Sequence, residues 1–203
     1  DLPETLKKEF GISVCPYYIC TEEGRFLDEL EIGADELLEH ISAGKTGYSQ
    51  LPEVEDYERF FAQKLTEAQN IIHITMAKHV SQGYDNAIGA AKSFENVTVL
   101  DSGHLSSSMG LVVLYAAYLA ENHAAKQEIV KTIKKLRNSI SSAFIIDSTH
   151  MMCQAGYQKG YRFFVIRFFY ILSLCSRRAG WWSAICWWGA LPMLQEAMSA
   201  RFL

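Results

Sequence analysis

The spacing of apolar and polar positions along residues 12–146 switches between a period of two and one of three to four, and each switch marks an element. Residues 12–20 (ISVCPYYIC) are dense in β-branched and aromatic side chains and predict a buried strand. Pro16 lacks an N–H, so this strand sits at an edge or carries a bulge. Gly24 suits a turn, and residues 26–32 predict a second strand. Residues 34–41 (ADELLEHI) have helical spacing. Between 52 and 65, Val54, Tyr57, Phe60, Phe61 and Leu65 form one stripe at i, i+3, i+4 spacing, which predicts an amphipathic helix.

Strand and helix then alternate. Residues 70–76 (NIIHITM) predict a strand, 84–94 a helix rich in Ala, and 97–100 (VTVL) a strand. Residues 105–120 predict a long helix, apolar on nearly every side and therefore buried. Residues 126–138 predict a charged amphipathic helix, and 143–146 (AFII) a last strand. The order β-α-β-α-α-β predicts an α/β fold, a mostly parallel sheet with helices on both faces.

In such a sheet, ligands bind beyond the carboxyl ends of the strands. Three strand-to-helix junctions lie there: residues 77–84 (AKHVSQGY), 101–108 (DSGHLSSS) and 147–150 (DSTH). A loop at 47–50 (GYSQ) precedes the first amphipathic helix. All four are rich in hydroxyls and small residues. Hydroxyls beside a helix N-terminus make a neutral cradle for a carboxylate or a phosphate. Ser, Thr and Asp are also the preferred helix caps, so each junction taken singly reads as a cap. The two D-S-x-H turns raise a second possibility, a metal-dependent hydrolase using Asp101, His104, Asp147 and His150. No G-x-S-x-G elbow, P-loop or G-x-G-x-x-G is present.

Charge and composition narrow the classes. The net charge of −4 argues against a nucleic-acid surface spread over the chain. The five cysteines (Cys15, Cys20, Cys153, Cys175, Cys186) are odd in number and lack CxxC spacing. They read as reduced thiols of a cytoplasmic protein. The average hides an asymmetry. Residues 161–203 hold five Arg, no Lys and one acid, Glu196, whereas residues 1–160 carry 14 basic and 22 acidic side chains. All four Trp, at 181, 182, 187 and 188, lie in that tail. Its apolar run from 163 to 175 is short of the about 20 residues a spanning helix needs. The Trp pairs would suit a membrane interface, so contact of the tail with a membrane stays open.

The blocks DLP, V-C-P-Y-Y-I and Y-S-Q before an aromatic helix resemble the DegV family of fatty-acid-binding proteins. I-T-M-A-K-H-V-S-Q-G-Y-D-N-A, V-T-V-L-D-S-G-H-L-S-S-S-M-G-L and F-I-I-D-S-T-H-M-M extend the resemblance, in order, over residues 1–156. The resemblance implies an α/β lipid-binding domain over 1–156, without catalytic chemistry of its own and without a cofactor. It implies a long-chain fatty acid as ligand and a separate fatty-acid kinase as partner. The family holds the carboxylate with hydroxyls of a T-S-Q loop and an S-G-T-Y-like turn. The matching positions are Tyr48, Ser49 and Gln50, and Ser81, Gly83 and Tyr84. Ser81 fits the pattern, and Tyr48 stands where the family has threonine. Ser49, Ser81, Gly83 and Tyr48 are therefore the expected carboxylate contacts. Gln50, Tyr84, His104 and Ser106 are the expected cleft lining.

The resemblance also implies that a second domain is missing or replaced. Residues 157–203 have the composition of a remnant of that domain or of an out-of-frame translation. The abrupt change in composition where the resemblance stops favours the second, and resequencing the gene tests it.

Overall fold

The computed structural model describes residues 2–141 and the backbone of Ala143–Ile146, Leu172–Arg178 and Trp181–Trp187. The chain divides into two compact units, 1–140 and 141–203.

The first unit opens with a short polar helix, α1 (Glu4–Glu9), that buries no residue. Strands β1 (Tyr18–Thr21), β2 (Gly24–Leu27) and β3 (Gly47–Gln50) form an antiparallel sheet of order β2-β1-β3. The strand expected over 12–20 begins only at Tyr18, two residues beyond Pro16, which has no N–H to give a ladder. Residues 47–50, expected as a loop, pair instead along β1 with Tyr18 opposite Gln50 and Ile19 opposite Ser49. Helix α2 (Ala34–Ser42) connects β2 to β3.

The α/β part follows. Helix α3 (Val54–Lys64) leads to β4 (Ile71–Thr75), α4 (Gly83–Ala91), β5 (Val97–Asp101), α5 (Ser106–Glu121) and α6 (Lys126–Leu136). Strands β4 and β5 are parallel, with Ile71 opposite Val97 and Thr75 opposite Asp101. Helices cover both faces of the pair. On one face Tyr57, Phe61, Ala87, Ala90, Val97 and Val99 form a buried cluster between α3, α4 and the strands. On the other, Leu100, Val112, Ala116, Ile129 and Ile133 pack α5 and α6, with Ile72 and Ile74 against them. Alternation along β4 thus sends successive side chains to opposite cores.

Helix α5 differs from its expected burial. Gly110, Val112 and Ala116 are buried, but Leu111 (59% exposed), Tyr115 (41%) and Tyr118 (51%) face outward.

In the second unit β6 (Ala143–Ile146), β7 (Leu172–Arg178) and β8 (Trp181–Trp187) form an antiparallel sheet of order β6-β7-β8. The strand at 143–146 pairs there, Ala143 opposite Ser176.

Candidate functional site

The carboxyl end of β4 runs through residues 76–82 into α4. Gly83, the first residue of α4, is buried, and three hydroxyls surround it. A β-carbon built at Gly83 would lie 3.2 Å from Tyr57 Oη and 3.3 Å from both Ser81 Oγ and Tyr17 Oη. Ser81 Oγ accepts a hydrogen bond from the Gly83 N–H at 3.1 Å. It shares a second, of 2.7 Å, with the Tyr17 hydroxyl. The sequence builds this from three elements. Tyr17 immediately precedes β1, Tyr57 lies in the second turn of α3, and Ser81 sits in the turn before α4. A side chain at this position would crowd all three hydroxyls, so glycine lets them come together.

Ser81, Gly83, Tyr84, Tyr17 and Tyr57 all line one cavity of about 740 Å³. That is within the range of ligand pockets, about 300–1,000 Å³. Its walls are mostly apolar, with Phe60 from α3 and Met109, Val113, Ala117 and Ala120 from α5. The strand β4 crosses it from Ile71 to Met76. Among the described residues β4 pairs only with β5. Lys64, Glu67 and Lys126 also line it, away from the Gly83 turn along the chain path of β4.

Three titratable groups on the wall are displaced from their ordinary behaviour. Burial, with lesser effects of Cys15, Tyr17 and Asp56, pushes the Tyr57 hydroxyl upward, so it stays protonated as a donor. Burial pushes the Cys15 thiol up to about 12, with Asp56 adding to the effect. It is a thiol at neutral pH and no nucleophile. Burial lowers His73 from 6.5 to about 4, leaving a neutral imidazole.

The other expected site residues are placed differently. Tyr48 is 68% exposed, Ser49 is exposed on β3, and Gln50 is half-buried, its Oε1 3.5 Å from the Cys20 thiol. None lines the cavity, although the strand holding them is laddered to β1 directly after Tyr17. Asn86 of α4 also donates to the Pro52 carbonyl at 2.8 Å, tying this segment to the same helix. His104 is fully buried, and its Nε2 lies 2.8 Å from the Arg137 carbonyl. Ser106 is exposed at the start of α5 with φ +55°.

Asp101 and His104, half of the metal alternative, belong to a structural knot. Asp101 Oδ1 accepts from the N–H groups of Gly103 (2.7 Å) and Lys78 (3.3 Å). Its Oδ2 lies 3.4 Å from Arg137, which also donates to the Asp101 carbonyl at 2.8 Å. Asp147 and His150 lie outside the described residues. Among the described residues no group of three or more His, Cys, Asp or Glu could hold a metal ion.

The sequence reading missed Tyr17, Tyr57 and His73. Tyr57 looked like core because it lies on the apolar stripe of α3. The signal available was its hydroxyl, since a tyrosine in a core stripe still requires a partner.

A parallel β-pair between two helical layers, with a hydroxyl-lined turn beside a mostly apolar cavity, defines an α/β protein of mixed architecture. The chain belongs to the DegV family, whose sequence profile, described as "Uncharacterised protein, DegV family", matches residues 1–160. A DegV domain-containing protein of Caldanaerobacter subterraneus is 27% identical over 158 residues, covering 77% of this chain and 56% of its own. The chain thus spans just over half the length of that curated relative. Among solved structures, a fatty-acid-binding DegV family protein from Thermus thermophilus is similar at TM-score 0.83 and 23% identity, over 98% of this chain and 72% of its own. DegV, a fatty acid binding protein from Bacillus subtilis, is similar at TM-score 0.83 and 15% identity over the same shares. The Fatty Acid Kinase (Fak) B3 protein of Streptococcus pneumoniae, solved loaded with linoleic acid, is similar at TM-score 0.72 and 18% identity, over 92% and 68%. Among the described residues no helix is long and apolar enough to cross a membrane.

Proposed function

We propose that this protein binds a long-chain fatty acid, with the carboxylate at the turn before α4. The observation that carries this reading is the grouping of the Tyr17, Tyr57 and Ser81 hydroxyls around Gly83 on the wall of a mostly apolar cavity. A carboxylate taken out of water needs several donors, or it takes up a proton instead. Ser81 Oγ already accepts the Gly83 N–H. With Tyr17 donating to it, its own proton is free for the carboxylate, and the chain of hydroxyls strengthens each bond. Tyr57 adds a further donor. Of the two β3 candidates, Ser49 is the further contact in this reading, and Tyr48, its neighbour on the strand, faces the other side. The acyl chain lies against α5 and β4. The protein acts as a cytoplasmic carrier rather than an enzyme and presents the acyl carboxyl to a fatty-acid kinase, in keeping with the name of the Streptococcus pneumoniae neighbour.

Ser81→Ala removes one hydrogen bond to a charged group, worth about 1.5–3 kcal/mol, so palmitate affinity should fall roughly tenfold to a hundredfold. Titration calorimetry of the variant against the parent chain measures it. Unchanged affinity in a folded variant contradicts the assignment.

A further inference from the structure

Three backbone hydrogen bonds fix the direction in which β4 presents its polar groups. The Ile71 N–H donates to the Asn96 carbonyl at 2.9 Å, the Ser102 N–H donates to the Thr75 carbonyl at 3.1 Å, and the Ala77 N–H donates to the His104 carbonyl at 2.8 Å. Residues 71, 75 and 77 thus face β5 and its continuation. Backbone groups alternate between the two edges of a strand, so Ile72, Ile74 and Met76 turn their N–H and C=O groups the other way. Among the described residues no strand pairs with that second edge.

The cavity runs along it. Residues 71–76 all line the cavity, without a gap. Ile72 and Ile74 pack toward the α5–α6 core and Ile71 toward the Tyr57–Phe61 core, so a space that meets every residue in turn follows the edge and not one face. Tyr57 and Phe60 bound it from α3, and Val113, Ala117 and Ala120 from α5. It therefore continues the plane of the strand pair between the two helical layers. Residues 12–15 line it as well and join no helix or strand, although their sequence predicts a strand. An acyl chain on this wall leaves the three N–H and three C=O groups of residues 72, 74 and 76 unanswered, whereas the backbone of an added strand answers them all. A strand placed between two helical layers is apolar on both faces. We propose that this slot takes an extended apolar segment of a partner polypeptide, about six residues long to match residues 71–76, as a strand added to β4. An acyl chain against the same wall competes with it, so the test starts from chain freed of lipid.

The probe is a capped peptide of alternating Val and Ile, about six residues long, with a lysine at each end for solubility. Its binding to the full chain is followed by hydrogen exchange read by NMR. With the peptide bound, the amide protons of Ile72, Ile74 and Met76 exchange at least about tenfold more slowly, while that of Ile71, already bonded to Asn96, changes less. The same peptide N-methylated throughout, unable to donate, loses affinity by at least about tenfold. No binding of the unmethylated peptide overturns the proposal. Binding without protection of the three amides overturns it too, as does an N-methylated peptide that binds equally well, since either marks an apolar contact without strand pairing. Protection of all three amides already present in the free chain assigns the slot to another part of the chain and overturns the partner. Every measurement uses the parent chain, so none depends on the folding of a variant.

Discussion

Gly83 owes its identity to the three oxygens around it. Its backbone is helical, so what disfavours alanine there is the crowding of these oxygens and not the backbone conformation. A methyl group there presses on the Tyr57, Ser81 and Tyr17 hydroxyls, each 3.2–3.3 Å from it, and must push them apart. Gly83→Ala should displace these hydroxyls and lower palmitate affinity at least tenfold in a chain that still folds; a folded variant that binds as well as the parent places the head group elsewhere. His73 gives a second prediction at this scale. Its pKa falls on folding from 6.5 to about 4, so between those values the unfolded chain binds a proton that the folded chain refuses. Stability is therefore complete above pH 6.5 and declines as pH falls toward 4, by about 3 kcal/mol from this group. Urea unfolding at pH 4.5 and 7 should show a smaller difference in His73→Phe than in the parent. An identical difference in the two chains removes the buried histidine from the acid response. Single residues of the site were legible where they fell in a motif, as Ser81, Gly83 and Tyr84 did. Tyr17, Tyr57 and His73 were not, because each lies on a stripe or strand that a hydrophobic core explains equally well.

At the scale of elements, sequence and structure agree where periodicity is strong. Helices α3, α4 and α6 and strands β4 and β5 fall within two or three residues of their expected bounds, because each has an apolar face set by its own spacing. Three elements escaped that logic. Helix α1 buries nothing and so leaves no apolar stripe to detect. Strand β3 is recruited by pairing with β1, a tertiary effect that its four residues do not announce. Helix α5 is apolar on most sides, and its composition implied burial. The fold covers only the face holding Val112 and Ala116. Substitutions on the two faces should therefore differ. Leu111→Gln, on the exposed face, should change unfolding free energy by less than about 0.5 kcal/mol. Ile133→Ala, in the fully buried α5–α6 core, should cost about 2–5 kcal/mol. Denaturant curves on both variants check this, and a large loss from Leu111→Gln would mean that α5 has a covered outer face.

At the scale of the molecule, the family profile ends at residue 160, close to where the composition turns Arg- and Trp-rich and Lys-free. The hydroxyl cradle, the apolar cavity and both cores lie in the first unit, within residues 2–140. The proposed head-group end is built from neutral donors, so binding there should change little between low and moderate salt, unlike a site resting on exposed lysines. The most direct test extracts the purified chain with organic solvent and measures fatty acids by mass spectrometry, before and after incubation with palmitate. The expected result is about one long-chain fatty acid per chain, much reduced in Ser81→Ala. A chain that carries none and takes up none on incubation would contradict fatty-acid binding by this protein.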